Sequence, residues 1–187
     1  MVTSLEREIK LRFPDAAAAR TAVIAAGAQP RTKRRLQHDV LLDMPDGRLR
    51  SVRSVLRVRL EEPQCFITLK GPIQPSSMKV REEIETPVEN GRAVLAILER
   101  LGFAIWFRYE KFREEFTLDD VVLAIDETPV GSFVEIEGSE RGIVTVAGAM
   151  GFAPEQFVLD SYRGLFVRHC EARGLPVGDM LFDQGKA

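Results

Sequence analysis

Apolar and charged residues alternate along most of this chain, in short runs broken by turns that carry glycine and proline. From Leu5 to Phe13, Glu6, Glu8 and Lys10 fall on one face, with Arg7, Ile9 and Leu11 on the other, the period of a strand. Pro14 then opens an Ala-rich stretch to Ala26 that Gly27 closes, which predicts a helix with a proline start and a glycine stop. Gln37 to Asp43 predicts a strand, and Met44-Pro45-Asp46-Gly47 a turn. Val55 to Leu60 and Gln64 to Lys70 predict two more strands, the second ended by Gly71-Pro72. Residues 72–78 are expected to form a mobile loop before a strand from Lys79 to Val88. Asn90 caps a predicted helix with an apolar stripe of Val94, Ile97, Leu98 and Leu101, stopped by Gly102. Trp106 to Leu118, Val121 to Asp126 and Ser132 to Glu137 follow as strands, the last two joined by Thr128-Pro129-Val130-Gly131. The rest is expected to be helical, weakly to about Met150 and again from Asp160 to about Arg173, with a loosely ordered tail after Pro176.

About eight strands with mostly short connections and a few helices predict an α+β fold: an antiparallel sheet curved or closed on itself, with helices packed outside. The 187 residues suit a single domain spanning 1–187, and 45% apolar with 29% charged residues provide for a sizeable core. No apolar run reaches the roughly 20 residues that span a bilayer, so no membrane partner is expected. The N-terminal residues carry no apolar signal segment, and a cytoplasmic location is expected. Cys65 and Cys170 are too few for a disulfide framework or a zinc site and are expected as small core hydrophobes. A net charge of −2 argues against a nucleic-acid binder. The pattern does not distinguish a monomer from a homodimer.

The charged faces carry the functional signal. Any one of them suits a strand with its polar side in water. Taken together they repeat like charges at positions i and i+2: Glu6/Glu8, Arg57/Arg59, Glu83/Glu85, Lys111/Arg113 and Glu135/Glu137. Residues at that spacing share a face. If helices cover the apolar faces, a closed sheet gathers the charged faces in its lumen. That lumen would hold Lys10, Arg57, Arg59, Lys70, Arg81, Lys111 and Arg113 beside Glu6, Glu8, Glu83, Glu85, Asp126, Glu135 and Glu137. Like charges crowded at low dielectric are unfavourable unless an opposite charge binds between them. Cation pairs suit phosphate oxygens, and clustered carboxylates suit hard divalent cations such as magnesium or manganese. A lumen that wants both is a metal–polyphosphate site.

The order of these motifs resembles the CYTH superfamily, the triphosphate tunnel metalloenzymes, which include class IV adenylyl cyclases, thiamine triphosphatases and inorganic triphosphatases. The resemblance rests on Glu6-Arg7-Glu8-Ile9-Lys10, Leu56-Arg57-Val58-Arg59, Thr68-Leu69-Lys70-Gly71-Pro72 and Arg81-Glu82-Glu83-Ile84-Glu85. Lys111-Phe112-Arg113, Asp126, Gly131 to Glu137 and Ser161-Tyr162 follow in order, so that it runs from about residue 3 to 170. It implies an eight-stranded antiparallel barrel with an open tunnel. It further implies that Lys10, Arg57, Arg59, Lys70, Arg81, Lys111 and Arg113 hold phosphates, and that Glu6, Glu8, Glu135 and Glu137 bind one or two magnesium or manganese ions. Glu83, Glu85 and Asp126 would lie near a second metal or the reacting water. The chain departs from the family at Leu41-Leu42-Asp43, where several members have a Tyr-Phe-Asp-like run, so a mechanism that uses that tyrosine does not transfer.

The implied activity is hydrolysis of a small-molecule triphosphate, such as ATP, thiamine triphosphate or tripolyphosphate. Cyclisation of ATP to cyclic AMP and pyrophosphate by the same site is one alternative. A non-catalytic polyphosphate- or nucleotide-binding module is another, although a pure anion binder gains nothing from seven acidic groups. No P-loop is present. His169 is expected to be structural, and His38 borders the strand of the departing tyrosine position.

Overall fold

The computed structural model describes residues 4–183. Eight strands form a closed antiparallel barrel in the order β1-β5-β4-β3-β2-β6-β7-β8. They are β1 (Ser4–Phe13), β2 (Gln29–Asp43), β3 (Val55–Leu60), β4 (Cys65–Lys70), β5 (Lys79–Val88), β6 (Ala104–Leu118), β7 (Val121–Thr128) and β8 (Gly131–Glu137). The helices are α1 (Ala16–Ala25), α2 (Arg48–Ser51), α3 (Gly91–Arg100), α4 (Glu140–Ala149) and α5 (Tyr162–Glu171). The predicted strands are all present. β2 begins eight residues earlier than its alternation indicates, because bulges near Pro30, Thr32 and Arg35 interrupt the period. Asp15 rather than Pro14 sets the start of α1, its carboxylate accepting from the Ala18 N–H at 2.8 Å. Asn90, Ser139 and Ser161 cap α3, α4 and α5 in the same way.

The pleat sends one parity of each strand outward. Ile9, Leu11, Leu123, Ile125, Val134 and Ile136 pack there under Ala19 and Val23 of α1 and Ile143 and Val146 of α4. Val40, Leu42, Leu56 and Val58 pack under Val94, Leu95 and Leu98 of α3. The approach of α3 requires glycine at residue 91, since a Cβ there would lie 2.6 Å from a methyl carbon of Leu60. On β4 and β5 the outward Leu69 and Ile84 remain exposed.

Three expectations are corrected. Segment 72–78 is held against β5 by a bridge from Gln74 to Val80, and Met78 is buried. The tail after Pro176, as far as the described residues reach, also docks: Met180 pairs its backbone with β6 on both sides of Tyr109 and is fully buried, and residues 184–187 lie outside the described residues. The tunnel is not open at both ends. Leu41, Phe107 and Phe133, all inward, meet Tyr162 and Leu165 of α5 and Met180 in one apolar cluster that fills one end of the barrel.

The C-terminal segment also closes two seams. β1 pairs with β5 only as far as Glu8, and beyond it the Lys10 backbone pairs with Val158 instead. β6 pairs with β7 only from Phe112 onward, and the preceding stretch takes Met180. Among the described residues no helix is long and apolar enough to cross a membrane.

Candidate active site

The open part of the barrel is a cavity of about 430 Å³ whose walls are mostly charged. Its parity is the predicted one. Glu6, Glu8 and Lys10 enter from β1, Arg57 and Arg59 from β3, and Lys70 from β4. Arg81, Glu83 and Glu85 enter from β5, Lys111 and Arg113 from β6, and Glu135 and Glu137 from β8. Thirteen of the fourteen residues singled out from the sequence thus line one space.

Asp126 is the exception. It shares the inward parity of Val122 and Ala124 but is fully buried, below the open part of the lumen, and its oxygens are engaged. Lys111 donates to it at 2.9 Å, Arg113 through two nitrogens at 2.7 and 2.6 Å, and the Tyr162 hydroxyl at 2.6 Å. Asp126 therefore orients two cavity cations. Asp39 is its counterpart on β2, on the other side of β6, also fully buried, accepting from Arg59 at 2.9 Å with Arg57 Nε 3.4 Å away. Burial would raise the Asp39 carboxyl, but Arg59 and Arg57 outweigh it and hold it at about 2.

The remaining pairs knit acid to base across strands. Lys10 lies 3.1 Å from both Glu8 and Glu135. Lys70 bridges Glu6 at 2.6 Å and Glu83 at 2.8 Å, and Arg81 reaches Glu6 at 3.2 Å. Arg57 donates to Thr68 and to Glu85, both at 3.1 Å. Lys79 binds Glu8, and Arg113 binds Glu135. Burial is the largest influence on Glu8 and Glu135 and would raise both. Lys10 and Lys79 beside Glu8, and Lys10, Lys111 and Arg113 beside Glu135, hold them well below the usual carboxylate range instead. Burial pushes Lys79 and Lys111 down to about 8.

Glu137 differs from the rest. It lies opposite Glu8 in the β1–β8 register and has no salt-bridge partner among the described residues. It stands at the mouth, touching solvent yet walled by the barrel. Loss of hydration first, then the charges of Glu6, Glu8 and Glu83, push its carboxyl up to about 7. Glu6, Glu8 and Glu83 each hold a lysine, whereas Glu137, among the described residues, does not.

Sequence reasoning missed Lys79, Tyr109, Glu115 and Arg31, which also line the cavity, and Asp39, inward and buried below it. Lys79 shares the parity of Arg81 and could have been found. Tyr109 stacks on Phe107 with ring centroids 5.8 Å apart. Leu41, in the family's tyrosine position, packs into the apolar end beside Phe107 and Tyr109. His38 points outward, 2.9 Å from Glu110, and takes no part in the cavity.

The sequence profile of the CYTH domain matches residues 4–149. The chain belongs to the CYTH domain family. A Methanocaldococcus jannaschii protein named as a candidate adenylate cyclase is 33% identical over 108 residues. That match covers 57% of this chain and 62% of the relative, less than two thirds of its length. Two solved structures share the CYTH fold at low identity. A Pyrococcus horikoshii protein superposes with a TM-score of 0.73 at 23% identity, covering 86% of this chain and 98% of its own. A Hippeastrum protein, described as a candidate adenylyl cyclase with a dominant triphosphatase activity, superposes with a TM-score of 0.63 at 22% identity, covering 92% of this chain and 97% of its own. The part of this CYTH chain that plugs the barrel and seals its seams, from Val158 to Met180, lies beyond the matched region.

Proposed function

We propose that this protein is a metal-dependent phosphohydrolase of small triphosphates, the chain of phosphates lying in the barrel lumen. The observation that carries the reading is the convergence of nine lysine and arginine side chains on one enclosed cavity. Seven carboxylates line the same cavity, and the buried Asp39 and Asp126 below it bring the acids to the same number. A polyanion alone would upset that balance; a polyanion accompanied by divalent cations would keep it.

The residues present fit such a cation. Glu137 faces Glu8 with no cation of its own, and an all-carboxylate donor set suits magnesium or manganese. Glu6, Glu8, Glu135 and Glu137 would hold it. Among the described residues no three such groups already converge at metal spacing, because Glu6, Glu8 and Glu135 are turned to lysine and arginine. When bound, the metal supplies charge neutralisation on phosphate oxygens and acidifies water at the reacting phosphorus.

The chain's own residues supply the rest. Arg57, Arg59, Arg81 and Arg113 present planar forks that match phosphate oxygens, and Lys10, Lys70 and Lys111 add point charges deeper in the wall. Asp39 and Asp126 fix the direction of four of these cations in advance, so little reorganisation accompanies charge development at phosphorus. Glu83 and Glu85 stand near the mouth as acceptors for water. Glu83 is raised by burial and by Glu6, which leaves it a better proton acceptor than an ordinary carboxylate.

A second reading, cyclisation of ATP, is favoured by the name of the 33% identical relative. One experiment separates the two: incubation with magnesium or manganese and ATP, tripolyphosphate or thiamine triphosphate, resolving the products. Orthophosphate is the expected product. Cyclic AMP and pyrophosphate from ATP, without orthophosphate from any substrate, would overturn the hydrolase reading.

A further inference from the structure

Among the described residues, Ser161 and Tyr162 are the two that line the lumen without belonging to a strand. They come from the start of α5. The Ser161 hydroxyl accepts from the Gly164 N–H at 3.1 Å, which caps the helix and fixes the course of its first turn. Tyr162 is buried; it belongs to the apolar plug and also lines the charged cavity.

Its contacts join three strands. The hydroxyl donates to Asp126 of β7 at 2.6 Å, onto the same oxygen that takes Lys111 at 2.9 Å and Arg113 Nη2 at 2.6 Å. Over its ring lie two ammonium groups, Lys10 of β1 at 5.2 Å from the centroid and Lys111 of β6 at 4.9 Å. β1 and β6 are not neighbours in the barrel, since β7 and β8 stand between them. Ladder hydrogen bonds hold the two backbones, but the ends of two long lysine chains keep rotamer freedom that a shared ring face reduces. Burial, then Asp126 and Glu135, push the phenol well above its ordinary range, so it stays a donor. Phenylalanine there would keep the ring and leave that Asp126 oxygen to Lys111 and Arg113 alone. The carboxylate would then draw both cations more strongly, away from a ligand in the lumen.

We infer that Tyr162 is a positioning residue of the lumen site: it sets Lys10, Lys111 and, through Asp126, Arg113 for an anion, acting through those groups rather than by a contact of its own. The inference rests on the triphosphate reading above and deepens it. The strands bring the cations together, and a helix beyond residue 149, where the family match ends, sets their direction.

Calorimetric titration of the intact protein in magnesium with imidotriphosphate, whose P–N–P bridges resist hydrolysis, separates positioning from packing. A packing defect lowers the folded fraction, and so the stoichiometry, but leaves the dissociation constant of the folded protein alone. A positioning defect changes the dissociation constant at full stoichiometry. Tyr162→Phe is expected to weaken binding about tenfold at unchanged stoichiometry, the scale of one hydrogen bond to a charged group. Tyr162→Leu, which also removes the ring, should weaken it by about a further threefold. Leu165→Ala loosens the same plug from a position that lines no part of the lumen, and should lower the unfolding midpoint while keeping the parent's dissociation constant. Parent affinity in Tyr162→Phe, or an equal fall in Leu165→Ala, would overturn the positioning role and leave the triphosphate reading standing. No binding by the parent protein would remove both.

Discussion

At the closed end of the barrel, inward positions of β2, β6 and β8 hold Leu41, Phe107 and Phe133, and α5 adds Tyr162 and Leu165. Two to four residues along the same strands, the inward positions hold Asp39, Lys111 and Glu135. The pleat is continuous across this change, so backbone geometry decides only which space a side chain enters. What fills that space follows from whether water and ligand must enter it. The closed end gains from dry packing, worth about 25 cal/mol per Å² of apolar surface removed from water. At the open end, the attraction between buried opposite charges roughly offsets the cost of dehydrating them. Stability is therefore concentrated at one end, and the proposed triphosphate site lies at the other.

Substitutions at the two ends should separate these quantities. The largest effect is expected from Phe133→Ala, which empties the fully buried centre of the plug beside Tyr162. Denaturant unfolding should show a loss of about 3–5 kcal/mol. Equal stability of this variant and the parent would break the comparison. Next comes Arg57→Ala at the charged end. Triphosphate binding, followed by calorimetry, should weaken by about 2–3 kcal/mol, the worth of a hydrogen bond to a charged group, with a smaller fall in unfolding free energy. A variant that loses stability but keeps affinity would place Arg57 in the scaffold.

The third test is pH. The Asp39 carboxyl is held at about 2, below its ordinary value of 3.8. Its ionised form thus stabilises the fold above the unfolded value, and that contribution is lost as pH falls through the folded one. The shift corresponds to about 2 kcal/mol. Acid titration of stability should fall between about pH 4 and 2, and Asp39→Asn should flatten that limb. An unchanged limb in the variant would show that other carboxylates set it.

Much of this was legible in the alternation. Glu6/Glu8, Arg57/Arg59, Lys111/Arg113 and Glu135/Glu137 all face one cavity, because strand parity is strict where no bulge intervenes. Asp39 was hidden because β2 is bulged and its run Asp39-Val40-Leu41-Leu42 mixes inward charge with inward leucine. Asp126 was found, but parity cannot tell a residue that lines the open cavity from one buried below it. The plug was not legible. Met180 sits in a stretch with neither helical nor strand period, and only the unpaired edge of β6 gives it a place.

Those seams bear on the order of assembly. Lys10 pairs with Val158, and Arg108 and Glu110 pair with Met180, so the first strand and the sixth both await the last part of the chain to complete their hydrogen bonding. Contacts so distant in sequence carry a large loop-closure cost and form slowly. Without those contacts, the backbone groups of Lys10, Arg108 and Glu110 would be left to water at two gaps in the barrel wall.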